Sequence, residues 1–156
     1  MSVRRRKPAL FTIGYEHATQ NAVIAELQRA KVDTLVDARA VASSRRPGFS
    51  KRQFAAGLDA AGIAYMHFQE LGTPAEGRQA ARSGDAKTML RIYEKHLKTP
   101  AAREELDALT ALVDSGKRVC LLCYERDVKV CHRLRIAELM QERTGAKIDN
   151  LVPPLF

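Results

Sequence analysis

Two short stretches in the last third of the chain carry residue types from which covalent chemistry is made. Cys123 and Glu125 stand two apart, and Cys131-His132-Arg133 follows shortly after. A thiol acts as a nucleophile only as its thiolate, and a neighbouring cation or a helix N-terminus lowers its pKa. Cys123 or Cys131 can therefore serve as nucleophile, with His132 or His67 as base and Glu125 orienting that base. His132, Arg133 and Arg135 fall in or near the first turns of the helix expected to follow, the wrong charge for its dipole. An anion held between that helix end and the arginines removes the conflict. The run Arg45-Arg46-Pro47-Gly48-Phe49 also suits anion recognition, because guanidinium groups hold phosphate or carboxylate through paired hydrogen bonds. The plainer readings are a solvated basic loop and inert, packed cysteines.

Cys120-Leu121-Leu122-Cys123 looks like a CxxC pair but lies in a strand, where residues three apart point to opposite faces. Cys120 is thus read as a buried core thiol, with no shared metal or disulfide with Cys123. Zinc held by Cys123, Cys131, His132 and one more ligand is a rival reading, but the spacing matches no standard finger or ribbon. No motif asks for a cofactor, and no metal is assigned. His17 and His96 receive no role.

These residues need elements to position them. Ala9–Ile13, Val32–Val36, Ile63–Phe68 and Arg118–Cys123 are short apolar runs of strand length, and 148–152 is a candidate last strand. Apolar residues at helical spacing lie between them: Val23, Ile24 and Leu27; Phe54, Leu58 and Ala61; Met89, Leu90, Tyr93 and Leu97; Leu106, Leu109 and Val113; Leu134, Ile136 and Met140. Ser50 and Gln53 have the spacing of a capping box, with Phe49 and Phe54 placed as a hydrophobic staple and Gly62 as the stop. Residues 73–88 are polar and aperiodic, and read as a long surface segment able to act as a lid. Alternating strands and helices predict one three-layer α/β domain over 9–156. Its mostly parallel sheet has about four to five strands covered by helices on both faces.

In such a sheet ligands bind beyond the carboxyl ends of the strands. That rule gathers Gly14 and Tyr15, Asp37 and Arg39, His67, Cys123 and Glu125 on one rim. The loops beyond add Ser43, Ser44, Arg45, Arg46, Gly72, Cys131, His132 and Arg133.

The formal charge of +8 favours anionic partners. Part of it sits in Arg4, Arg5, Arg6 and Lys7, read as a solvated basic tail over 1–8. No apolar run approaches a membrane span, and the N-terminal stretch lacks the form of a signal peptide. The odd count of three cysteines predicts thiols of a reducing, cytoplasmic compartment and not a disulfide framework.

The assembled pieces resemble the family called domain of unknown function 488. They are Thr12-Ile13-Gly14-Tyr15, Val36-Asp37-Ala38-Arg39, Ser44-Arg45-Arg46-Pro47-Gly48-Phe49, Glu70-Leu71-Gly72, Leu122-Cys123-Tyr124-Glu125 and Cys131-His132-Arg133. The resemblance implies that the family's recurring Cys, Glu and Cys-His-Arg fall on Cys123, Glu125, Cys131, His132 and Arg133. Members commonly carry Asp-Pro before the Cys-His-Arg, where this chain has Asp127-Val128. The family brings no established reaction.

The preferred expectation is a cysteine-dependent hydrolase or transferase acting on an anionic, phosphate-bearing or nucleotide-like substrate. Cys123 is the leading nucleophile; Glu125, Cys131 and His132 complete the catalytic set. Gly14, Tyr15, Asp37, Arg39, Arg45, Arg46 and Arg133 hold the substrate. The alternatives are a non-catalytic nucleic-acid-binding module, or a thiol or metal sensor working through Cys123 and Cys131.

Overall fold

The computed structural model describes residues 8–155. The basic run at 4–7 lies outside them. Five strands form one sheet: β1 (Ala9–Gly14), β2 (Thr34–Asp37), β3 (Ala64–His67), β4 (Val119–Cys123) and β5 (Lys147–Leu151). Their order is β3-β2-β4-β1-β5 and every pairing is parallel. Helices α1 (Gln20–Arg29) and α2 (Lys51–Ala60) cover one face. On the other face lie α4 (Ala86–Leu97), α5 (Pro100–Asp114) and α6 (Arg133–Thr144), with α3 (Ala75–Arg82) packed on α4. The expected three-layer α/β domain is what forms. No helix among the described residues is long and apolar enough to cross a membrane.

The central strand β4 is buried along its whole length. Alternation sends Cys120 and Leu122 into the α1/α2 core with Phe11, Ile13 and Leu35, while Leu121 joins the core under α5 and α6. Cys120 is fully buried, and burial pushes its thiol far up, consistent with a packing role.

Two local expectations fail. Ser50 does not cap α2 with its side chain. Its hydroxyl instead accepts from the Ser44 amide and donates to the Ser44 carbonyl, while Gln53 accepts from the Gly48 amide. The loop before the helix thus uses the groups that a capping box would need. The 73–88 segment is not irregular either. It holds α3, a short turn through Gly84 (φ +80°), and the start of α4, capped where Asp85 accepts from the Thr88 amide.

Candidate active site

The strand order creates the site. β4 lies between β1 and β2, whose outgoing loops lead to α1 and α2, whereas the loop after β4 leads to α6 on the opposite face. Chains leaving adjacent parallel strands in opposite directions open a crevice at the carboxyl ends. Gly14 pairs in register with Cys123, and Asp37 with Leu122, so three strand ends meet there. A cleft of about 680 Å³ occupies this position, lined among others by Tyr15, Arg39, Arg45, Arg46, Cys123 and Glu125.

Gly14 is not among the residues that line this cleft. A Cβ on it would lie 1.8 Å from the Glu125 carbonyl oxygen, so it is the close approach of the Glu125 backbone that requires glycine.

The floor is a buried network. Asp37 accepts from Arg39 Nε at 2.8 Å and from Arg39 Nη2 at 2.7 Å, and Tyr65 donates its hydroxyl to the same carboxylate at 2.5 Å. Arg39 also donates to the Tyr15 hydroxyl and, at 2.7 Å, to the Phe49 carbonyl. Burial opposes the Arg39 charge, but the Asp37 partner outweighs it and holds the guanidinium above its usual pKa. Burial and the same carboxylate push the Tyr65 hydroxyl up. Phe49 stacks on Tyr15 with ring centroids 4.4 Å apart, and Tyr124 meets Tyr15 edge-on. Asp37 and Arg39 therefore hold the rim together, and their hydrogen-bonding capacity is mostly used by one another and by the 40–49 loop.

The remaining arginines divide. Arg46 bonds the Ala18 carbonyl through Nε at 3.0 Å while lining the cleft. Arg45 is exposed and lines the cleft. Arg78 and Arg82, which the sequence reading missed, reach the same cleft from α3. Composition was the one signal for their helix, since Ala, Glu, Gln and Arg are strong helix formers; in α3, i,i+4 spacing puts both arginines on one side. His67 is not among the lining residues; its Nε2 lies 2.7 Å from the Arg39 carbonyl. Arg135 pairs with Glu94 on the helix surface.

At the end of β4 the expectation of free thiols is corrected. A short 3-10 turn at Val128–Val130 folds the chain back over the strand end, and Cys123 and Cys131 are joined as a disulfide. Cys120 is the one free cysteine. The reason is tertiary: the chain leaves at Cys123 and returns eight positions later beside its own start, so the two sulfurs meet.

Arg133 is 1% exposed and donates from Nη1 to Cys123 Sγ at 2.8 Å and to the Glu125 carbonyl. Among the described residues it has no carboxylate within ion-pair distance, and its Nε has no partner. Burial lowers its pKa, as expected of a cation held without a counter-ion. The Glu125 carboxylate lies 3.6 Å from Cys123 Sγ, and burial raises its pKa despite the nearby Arg133.

His132 does not cap α6 with its side chain. Its Nε2 is 2.9 Å from the Ala38 carbonyl, which only accepts, so the proton sits on Nε2 and the Nδ1 lone pair faces Cys131 Sγ at 3.8 Å. Donor atoms of Cys123, Cys131 and His132 lie within 4.8 Å of one another, but joined sulfurs leave Nδ1 as the one free donor for a metal.

Burial pushes His132 down to about 4 from 6.5. A histidine whose pKa is depressed on folding contributes stability present above its unfolded pKa and lost as pH falls toward the folded one. Unfolding free energy should therefore drop by roughly 2 kcal/mol between pH 7 and pH 5. Urea titrations of wild type and His132→Asn at both pH values test this, and an equal pH slope in the two proteins would refute it.

Comparison with known proteins agrees with the resemblance noted above. The family model of a domain of unknown function, DUF488, matches residues 19–140. No curated protein and no solved structure matches the chain.

Proposed function

The chain belongs to the DUF488 family, and from that premise we propose that it is a thiol-dependent hydrolase or transferase for an anionic, phosphate-bearing or nucleotide-like substrate. One observation carries the reading. Among the described residues, buried Arg133 has no carboxylate within ion-pair distance, and it lies 2.8 Å from Cys123 Sγ. Once the disulfide is reduced, the Cys123 thiolate supplies the missing counter-charge, which lowers its pKa. The adjacent cleft with Arg45, Arg46, Arg78 and Arg82 suits an anion, and Tyr124 with Val41 and Met89 offers apolar contact to the rest of a ligand.

In this mechanism the Cys123 sulfur bonds the electrophilic centre of the substrate. The bond to the leaving group breaks with its electron pair, and Glu125, readily protonated because it is buried, gives that group a proton. Water in a hydrolase, or an acceptor nucleophile in a transferase, then gives its proton to the Glu125 carboxylate and attacks the covalent intermediate, which restores the thiolate. Arg39 and Asp37 position the rim and make no contact with the reacting atoms.

The test uses reduced protein alkylated with iodoacetamide across a pH series, with modified cysteines mapped by mass spectrometry. Cys123 should react with an apparent pKa at least about one unit below that of an ordinary thiol. Inorganic phosphate or a nucleoside monophosphate should slow its reaction. An ordinary thiol pKa, or no protection by either anion, would overturn the reading.

The rival is a non-catalytic nucleic-acid-binding module, for which the positive charge speaks. It requires affinity that falls steeply with salt.

A further inference from the structure

Cys123 and Cys131 are joined but face different surroundings. Cys123 lines the arginine-bearing cleft. Cys131 lines a second cleft of about 520 Å³, whose apolar side is formed by Met89, Leu90, Val130 and Leu134; Cys123 does not line it. Leu90 and Val130 are exposed, at 45% and 58%. The chemical neighbours differ as well. Cys123 Sγ has the Arg133 guanidinium at 2.8 Å, whereas Cys131 Sγ has the lone-pair nitrogen of His132 at 3.8 Å.

In thiol–disulfide exchange the sulfur that is attacked and the sulfur that leaves are distinct, and the sulfur with the lower thiol pKa leaves faster. Arg133 favours a thiolate at Cys123. His132 Nδ1 can only accept, so it favours a protonated thiol at Cys131. Cys131 is 5% exposed against 1% for Cys123, so access and leaving-group preference point the same way.

We infer that the pair is a directional redox centre: a dithiol reductant enters from the apolar cleft and attacks Cys131, and Cys123 leaves as the thiolate beside Arg133. In the first step the reductant's thiolate sulfur bonds Cys131 Sγ. The Cys123–Cys131 bond breaks, and its electron pair stays on Cys123. The reductant's second thiolate then attacks its own first sulfur, releasing Cys131, which takes a proton and donates it as a hydrogen bond to His132 Nδ1. Overall, one dithiol is oxidised to a disulfide while the protein disulfide becomes the Cys123 thiolate and the Cys131 thiol; two electrons and one proton pass to the protein, and the dithiol's other proton goes to solvent. This generates the Cys123 thiolate that the proposed function requires, so it rests on that reading for its purpose, though not for its chemistry.

The test uses the full chain, oxidised with diamide and exposed briefly to 2-mercaptoethanol. Free thiols are then blocked with N-ethylmaleimide and each cysteine is mapped by mass spectrometry. The mercaptoethanol adduct should sit on Cys131 and the maleimide on Cys123, by about ten to one over the reverse. Buried Cys120 should stay unlabelled and serves as the internal reference. An even split, the reverse pattern, or the absence of a Cys123–Cys131 cross-link after oxidation would overturn the inference. Arg133→Gln should bring the ratio close to one, and an unchanged ratio in that variant would refute the assigned cause. If the variant does not fold, the wild-type map decides alone. No substrate is involved, so a ten-to-one map together with failed anion protection would remove the proposed function and leave the redox centre standing.

Discussion

Asp37→Ala should destabilise the protein by about 3–5 kcal/mol, because it leaves the Arg39 guanidinium buried without its counter-charge. Asp37 is fully buried and Arg39 is 6% exposed, so water cannot replace the lost carboxylate without opening the rim. The Tyr65 hydroxyl loses its acceptor in the same step. Removing both charges should cost less than removing one: Asp37→Ala combined with Arg39→Met should recover part of the loss, since no unpaired ion then remains. Urea unfolding of the two single variants and the double variant, followed by circular dichroism, measures the coupling. A loss below about 1 kcal/mol for Asp37→Ala would mean that the pair is solvated and does not hold the rim.

Phe49→Ala should have a loss of similar size, about 3–5 kcal/mol, through a different mechanism. The ring is fully buried between Tyr15 and Phe54, with centroids 4.4 and 5.4 Å away, under the floor of the cleft. Truncation removes the stacking partner of Tyr15 and leaves a cavity where the 40–49 loop joins α2. The backbone bond from Arg39 to the Phe49 carbonyl remains possible, so the cost is one of packing. Phe49→Leu keeps most of the apolar contact and should lose clearly less, which separates cavity formation from loss of the loop's hydrogen bonds. Equal losses in the two variants, read from the same urea titrations, would contradict the packing account.

Much of this site was legible because parallel α/β chains obey a strong rule. Buried strands read as apolar runs, their carboxyl ends share one rim, and Asp37, Arg39, Cys123 and Glu125 stand at such ends. Cys120 was legible for the same reason, since strand alternation separates it from Cys123. Residues 73–88 were not, because α3 is mostly exposed and carries no apolar stripe to announce its period; only Gly77 among its residues is buried. Arg78 and Arg82 were missed with it. The capping box at Ser50 failed because a hydroxyl that can serve either a helix end or a neighbouring loop is assigned by what the loop leaves unsatisfied.

The amino-acid sequence by itself determined the layer architecture, the rim and the chemical types gathered on it. Hydrophobic periodicity and strand-end position are local properties that each segment carries with it. Strand order was decided only in the tertiary structure, which put β4 between β1 and β2 and thereby opened the crevice. Tertiary structure also decided the pairing of Cys123 with Cys131 and left Arg133 with no carboxylate within ion-pair distance among the described residues. These depend on where the 124–130 excursion returns in space. Return is set by packing against both sheet faces at once, which no single segment encodes.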